Sequence, residues 1–273
     1  MHIQFINDRE VMKKNKVTVV TVCYNAVNII EKTILSVINQ TYSNIEYIII
    51  DGDSKDGTQD IIRKYSDRIS YFISEPDKGI FDAMNKGLNV ATGDYINFMN
   101  AGDLFFDSHV LTTLFAEKTY NENVGFIFGL SVTPDGIVHK YVPFMENPNR
   151  YKGMGICHQS LFVKTELAQK YKFSLRYPVS ADYGMIYSIY KDGYKYVKYD
   201  FPICIYEGGG FSERNPWMMI RDIGMITQSQ FTCKYVYHMI ASRSKYNVKK
   251  ILNHLGLCLL YTSDAADDLT RVD

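Results

Sequence analysis

Two apolar runs, Val17–Cys23 (VTVVTVC) and Ile45–Ile50 (IEYIII), most constrain what this chain can fold into, because each is nearly continuous and stops at a polar turn. A strand apolar along its whole length is buried on both faces, which happens in parallel sheets covered by helices on each side. Between the runs, Ile30, Ile34, Val37 and Ile38 recur at helical spacing. That spacing predicts a helix capped by Asn28.

The alternation continues with a predicted helix over Gln59–Tyr65, a strand over Ile69–Ile73, a helix over Gly79–Val90 and a strand over Asp94–Met99 that ends toward Asp103. Strand and helix in this order predict an α/β fold, Rossmann-like, with a mostly parallel central sheet flanked by helices. Residues 16–103 form the nucleotide-binding half on this reading. Over 104–212, the acceptor half, the pattern loosens: a helix over Ser108–Lys118, a strand over Val124–Leu130, a hairpin at 134–136, a strand-like SLFVK, and helices over Glu166–Tyr171 and Ala181–Lys191 stopped by Gly193. Residues 213–257 read as a helical appendage rich in Met, Tyr, Ile and Lys, and residues 1–15 as a polar extension.

Charge excludes one class of partner. The 273 residues carry 30 basic and 30 acidic side chains, so no nucleic-acid ligand is indicated. No stretch is apolar for long enough to cross a bilayer and Met1–Lys16 lacks a signal-peptide pattern, which places the expected location in the cytoplasm. Cys23, Cys157, Cys204, Cys233 and Cys258 contain no CxxC pair and are expected to be free thiols. From Cys258 the composition turns rich in Asp and Ala; CLLYTSDAADD has the look of a translated sequencing adapter, so 258–273 is expected to be foreign to the fold. Without that tail the net charge is about +3.

The acids at strand ends carry the chemistry. Asp51 and Asp53 follow the second strand in DGDSKDGT, and Asp103 follows the fourth in NAGD, at the carboxyl edge where open α/β sheets bind ligands. A nucleotide phosphate with a divalent metal suits such acids. Asp77, Lys78 and Gly79 open the helix of EPDKGIFDAMNKG, with Asp82 and Asn85 three residues apart on one face and Lys78 offering a cation to phosphates. Each feature also has a plain structural use: DGDSKDGT as a polar turn, Asp103 as a cap for the helix from Ser108, Asp77–Asp82 as a capped helix start, and Asp182 as an acid in a first helical turn.

Together, TVCYN (21–25), DGDSKDGT (51–58), EPDKGIFDAMNKG (75–87), NAGD (100–103) and SADY (180–183) resemble the family-two inverting glycosyltransferases of GT-A fold over roughly residues 16–210. The bacterial enzymes that build exopolysaccharides and O-antigens are the most similar in motif wording. The resemblance implies a nucleotide-sugar donor whose base lies among Thr21, Val22, Tyr24 and Asn25, with Tyr24 stacking on it and Asp51 and Asp53 at base and ribose. It implies that Asp77, Lys78, Gly79, Asp82 and Asn85 approach the sugar and diphosphate, that Asn100, Ala101 and Gly102 lead to Asp103 as the anchor for Mg²⁺ or Mn²⁺, and that His158 and Gln159 face the sugar. Asp182 stands at the family's catalytic base. A weaker glycine-rich signal, 207–212, offers amides to the diphosphate, with Glu207 as the reserve base.

Departures from the family pattern fall at Gly52, where a second Asp is frequent, and at Asn100 and Gly102, where acids are common. They leave UDP as the default nucleotide with GDP or dTDP open, and metal binding weak without the nucleotide. The implied acceptor is a glycan or a lipid-linked glycan in bacterial surface polysaccharide synthesis. Lys234, Arg243, Lys245, Lys249 and Lys250 among apolar residues fit C-terminal helices that lie on anionic lipid at the inner membrane face, with helices that merely pack on the catalytic domain as the alternative. Two other readings stand beside this one: a nucleotide-sugar-binding protein without catalysis, raised by Gly52 and Gly102, and a sugar-phosphate nucleotidyltransferase, disfavoured because TVCYNAVN is not a glycine-rich loop.

Overall fold

A computed structural model describes residues 14–139, 143–146, 153–206, 208 and 211–254. The start of the N-terminal extension, Glu207 and the 258–273 tail lie outside the described residues. Among the described residues nine strands form one sheet: β1 Val17–Cys23, β2 Ile45–Asp51, β3 Tyr71–Ser74, β4 Tyr95–Phe98, β5 Leu104–Phe105, β6 Val124–Val132, β7 Val138–His139, β8 Leu161–Lys164 and β9 Lys195–Ile205. Their order is β3-β2-β1-β4-β8-β6-β9-β5, with β7 beside β6. β3, β2, β1 and β4 run parallel, as the apolar runs require. Beyond β4 the sheet is mixed: β8 is antiparallel to β4 and β6, whereas β9 is parallel to β6.

Helices cover both faces. Along β1, Val17, Val19 and Cys23 pack with α1 Ile30–Ile38 and α4 Val110–Phe115, while Val20 and Val22 pack on the opposite side with α3 Ile80–Val90, α5 Thr165–Tyr171 and α6 Ala181–Lys191. This is the period-two alternation of a strand buried on both sides. Each such Val or Ile removed from water contributes about 1.5–3 kcal/mol. The short α2 Thr58–Arg63 adds Ile62 to the first face.

Several local expectations change. α1 begins without Asn28: Ile29 holds the N-cap position, no side chain caps the helix, and Ile30 N–H donates to the Ala26 carbonyl. Packing of the apolar face, not a cap, therefore starts it. α2, α4 and β3 are shorter than their sequence patterns. The hairpin at 134–136 forms, with Val132 opposite Val138. β5 and β9 went unread in the sequence, since β9 is largely half-exposed and rich in Tyr and Lys and belongs to the sheet only through pairing with β6. After a short α7 Phe211–Arg214, the C-terminal region forms α8 Pro216–Ile226 and α9 Cys233–His254. Ile220 and Ile223 of α8 and Tyr235 of α9 are buried in the same apolar cluster as α6, so these helices complete the core.

Candidate active site

The carboxyl end of β4 opens onto a cavity of about 460 Å³, a size suited to a small ligand. Its polar lining includes Asn100, Asp103, His158, Gln159, Ser180 and Asp182; its apolar lining includes Ile29, Ile80, Phe81, Met84, Met154, Met219 and Ile223. Residues distant in sequence thus converge on one space.

Asp103 is buried in the loop between β4 and β5, its N–H donating to the Asn100 carbonyl. Gln159 Nε2 donates to Asp103 Oδ2 at 2.7 Å. The helix expected from Ser108 begins at Val110 with His109 at its N-cap and no side-chain cap; Asp107 Oδ1 accepts from His109 N–H in the turn before it. Gly102 has φ +102°, a left-handed conformation in which an acidic side chain would be strained.

His158 and Gln159 sit on a 3-10 turn, 158–160, immediately before β8. His158 Nε2 meets Asn100 Nδ2 at 2.9 Å, and His158 Nδ1 lies 3.7 Å from Asp182 Oδ2. Asp182 is in the first turn of α6 and its Oδ1 accepts the Tyr183 N–H at 2.8 Å. Burial pushes the Asp182 carboxyl above its ordinary value, opposed by the His158 charge and the Tyr183 N–H. A carboxylate raised in this way, facing a cavity, is poised to accept a proton.

Asn100 Oδ1 is buried with no hydrogen-bond partner. Asn100 and Asp103 both line the cavity, and their side-chain oxygens are the donor type that a hard divalent ion taking substrate phosphates and water would use. Among the described residues no three His, Cys, Asp or Glu side chains gather as a metal cluster. The protein's share of such a site is small, so the diphosphate would complete it.

A second group lies at the ends of β1 and β2. The DGDSKDGT turn is laced to the loop after β1: Asn25 N–H donates to Ser54 Oγ at 2.8 Å, Ala26 N–H to Thr58 Oγ1 at 2.7 Å and Val27 N–H to Asp56 Oδ2 at 3.1 Å. Lys55 N–H returns a bond to Asn25 Oδ1. This lacing leaves Tyr24 66% exposed beside Gly52, with a ring face free for stacking. Asp53 is half-buried and its carboxylate is paired with Lys55 at 2.5 Å.

Several of the residues expected at the ligand have partners within the protein. Asp51 is fully buried, and its carboxylate accepts from Ser54 N–H, Ser54 Oγ, Ser74 Oγ and Cys23 Sγ, which makes it the organiser of the turn. Thr21 is also fully buried, its hydroxyl on Tyr47, and the Val22 side chain is in the core, so neither side chain is exposed. The Asn85 amide brackets Phe173, Nδ2 donating to the carbonyl at 2.8 Å and Oδ1 accepting from the N–H at 3.0 Å. Asp82 accepts from Lys78 N–H and Asp77 from Gly79 N–H, which fastens the start of α3. The α3 side chains on the cavity are Ile80, Phe81 and Met84, an apolar face readable from the helical period.

Two further residues complete the picture at Gly52 and Lys78. A Cβ at Gly52 would lie 2.6 Å from Asp77 Oδ2, so the Asp77 carboxylate occupies the space of the missing side chain. The Lys78 side chain is exposed, and the space beside the Gly79 Cα is open. Sequence reasoning missed Met219 and Ile223, whose types carry no local signal. Among the free thiols, Cys157 and Cys204 come within 4.0 Å although 47 residues apart.

Comparison with known proteins agrees with this fold. The profile of "Glycosyl transferase family 2" matches residues 18–175. The glycosyltransferase GlyA of Streptococcus pneumoniae is 35% identical over 101 residues, covering 36% of this chain and 14% of that protein. S. aureus TarS 1–349 in complex with UDP-GlcNAc superposes with a TM-score of 0.63 at 14% identity, covering 85% of this chain and 71% of that one. The mannosyltransferase PcManGT from Pyrobaculum calidifontis, in complex with GDP-Man and Mn²⁺, gives 0.62 at 15% identity, covering 94% and 79%. The structural likeness shows a shared GT-A fold, while the chain spans only a small part of the length of GlyA.

Proposed function

The chain belongs to glycosyl transferase family 2, and from that premise we propose that it moves a sugar from a nucleotide-sugar donor to a hydroxyl acceptor with inversion at the anomeric carbon. The observation that carries the reading is the convergence of Asp103, Gln159, His158 and Asp182 on one cavity at the strand ends. The nucleotide lies against Tyr24 and the laced loops, with Asp53 and Lys78 at its edge. Asp103, with Asn100 Oδ1, would hold a divalent ion, Mg²⁺ or Mn²⁺, which would supply charge neutralisation to the diphosphate.

Asp182 acts as general base. The acceptor oxygen attacks the anomeric carbon from the face opposite the diphosphate, its proton passes to the Asp182 carboxylate, and the sugar–phosphate bond breaks with its electron pair on the departing oxygen. His158 steadies that carboxylate. The apolar lining from α3 and α8 excludes water from the reacting centre.

A UDP-sugar is the default donor. A panel of UDP-, GDP- and dTDP-sugars, followed by thermal shift with Mn²⁺ and then by nucleotide release, tests the reading. Stabilisation by one nucleotide class and release of its diphosphate are expected; no stabilisation by any would sink it.

The acceptor is a glycan or lipid-linked glycan of bacterial surface polysaccharide synthesis, reached at the inner membrane face. Among the described residues no helix is long and apolar enough to cross a membrane. Peripheral contact is supported by Phe231, Tyr237 and Ile240, which are 91%, 69% and 63% exposed, near Lys234, and by the absence of acids from residues 223–263. Flotation with liposomes containing anionic lipid should carry the protein upward, and Phe231→Ser with Ile240→Ser should abolish it; equal flotation with neutral liposomes would remove the charge argument.

A further inference from the structure

The helix that carries Asp182 has an unusual start. Ser180 holds the N-cap position of α6 and is buried, yet its side chain makes no capping bond. The backbone leading into the helix is held from outside instead: Val179 N–H donates to Asp222 Oδ2 at 3.0 Å. Asp222 belongs to α8 and is fully buried, and its other oxygen accepts Arg221 Nε and Nη2 at 3.1 and 2.7 Å. Its neighbours Met219 and Ile223 line the cavity.

A buried carboxylate is a poor device for stability alone, because a well-packed apolar residue of similar volume serves as well or better. What the carboxylate adds is direction, a fixed acceptor for one backbone N–H three residues before Asp182. We propose that Asp222 is a positioning residue, which through Val179 sets the first turn of α6 and so aims the Asp182 carboxylate into the cavity. The inference rests on the reading of Asp182 as the base. It also makes α8 part of the catalytic unit.

Hydrogen exchange and kinetics on the full chain test it. In Asp222→Leu, which fills the volume without an acceptor, amides of residues 179–184 should exchange at least about 10-fold faster while β1 and β4 keep their protection. Asp222→Asn, which retains an acceptor oxygen, should restore most of that protection. With UDP-GlcNAc and Mn²⁺ as the probe, nucleotide release should slow about 10- to 100-fold in Asp222→Leu with nucleotide affinity within about twofold. Asp182→Asn combined with Asp222→Leu should be no slower than Asp182→Asn alone, as expected when one residue acts through the other. Unchanged exchange at 179–184, protection lost uniformly across the core, or losses that add in the double variant would each overturn the proposal. Should Asp222→Leu not fold, Asp222→Asn and Asp222→Ser are compared in its place, and exchange at 179–184 that does not follow the loss of the acceptor overturns it. The two readings fail separately: normal turnover in Asp182→Asn removes the base assignment, whereas unchanged exchange in Asp222→Leu removes only the positioning role.

Discussion

His158 Nδ1 lies 3.7 Å from Asp182 Oδ2, and the same ring's Nε2 meets the Asn100 amide at 2.9 Å. With Asn100 Nδ2 as the donor, the imidazole proton sits on Nδ1 and faces the carboxylate. Burial raises Asp182, and His158 opposes that rise. A base works deprotonated, so transfer falls as pH drops through the folded-state value, which lies above the ordinary carboxylate value of about 3.9. The acidic limb of kcat/KM should therefore appear above that range and move further up in His158→Ala. Asp182→Asn should cut turnover by roughly 10² to 10⁴ with nucleotide affinity little changed. A limb at or below the ordinary carboxylate range, or near-normal turnover in the Asn variant, removes the assignment.

Metal dependence follows from the oxygens at the cavity. Calorimetry should show that EDTA, or Asp103→Ala, weakens nucleotide binding sharply, and that Asn100→Ala weakens it less. Gln159→Ala should act in the same direction, since Gln159 orients the Asp103 carboxylate at 2.7 Å. Equal affinity with and without EDTA would take the ion out of the description.

Gly52 and Asp77 compete for one space. A side chain at 52 would start 2.6 Å from Asp77 Oδ2, so Gly52→Asp both overfills the site and sets two carboxylates together. Urea unfolding should register a loss of about 1–3 kcal/mol. Asp77→Ala in that background should recover part of it, and the absence of recovery would show that Asp77 is not the obstacle.

At the opposite end of the sheet, Glu46 is 8% exposed and accepts from Lys16, Thr18 and both the N–H and hydroxyl of Thr92. Burial alone would raise its carboxyl, but the hydrogen bonds from Lys16, Thr92 and Thr18 bring it down to about 2. Its folded-state value lies below the unfolded value of about 4.3, so its stabilisation is complete above that pH and is lost as pH falls toward 2. Glu46→Gln should cost about 1.5–3 kcal/mol at neutral pH and flatten the acid side of the stability curve. An unchanged acid profile would count against the network.

The apolar runs of β1 and β2, the helical period of α1 and α3 and the carboxyl-edge acids were legible in the chain itself, because period and burial are properties of short segments. So was the family, through five motifs in order. What one segment cannot carry is where a side chain points once other segments pack on it. Asp51, Thr21 and Asn85 read as ligand contacts because their types and places fit, yet Ser54 and Ser74, Tyr47 and Phe173 take up their polar atoms. β9 and β5 exist only as partners of other strands, so their own composition left them silent. Asp222 is the clearest case: nothing near it in sequence marks it, and only the packing of α8 on α6 brings it to Val179, because a buried hydrogen bond across 43 residues is decided by tertiary structure alone.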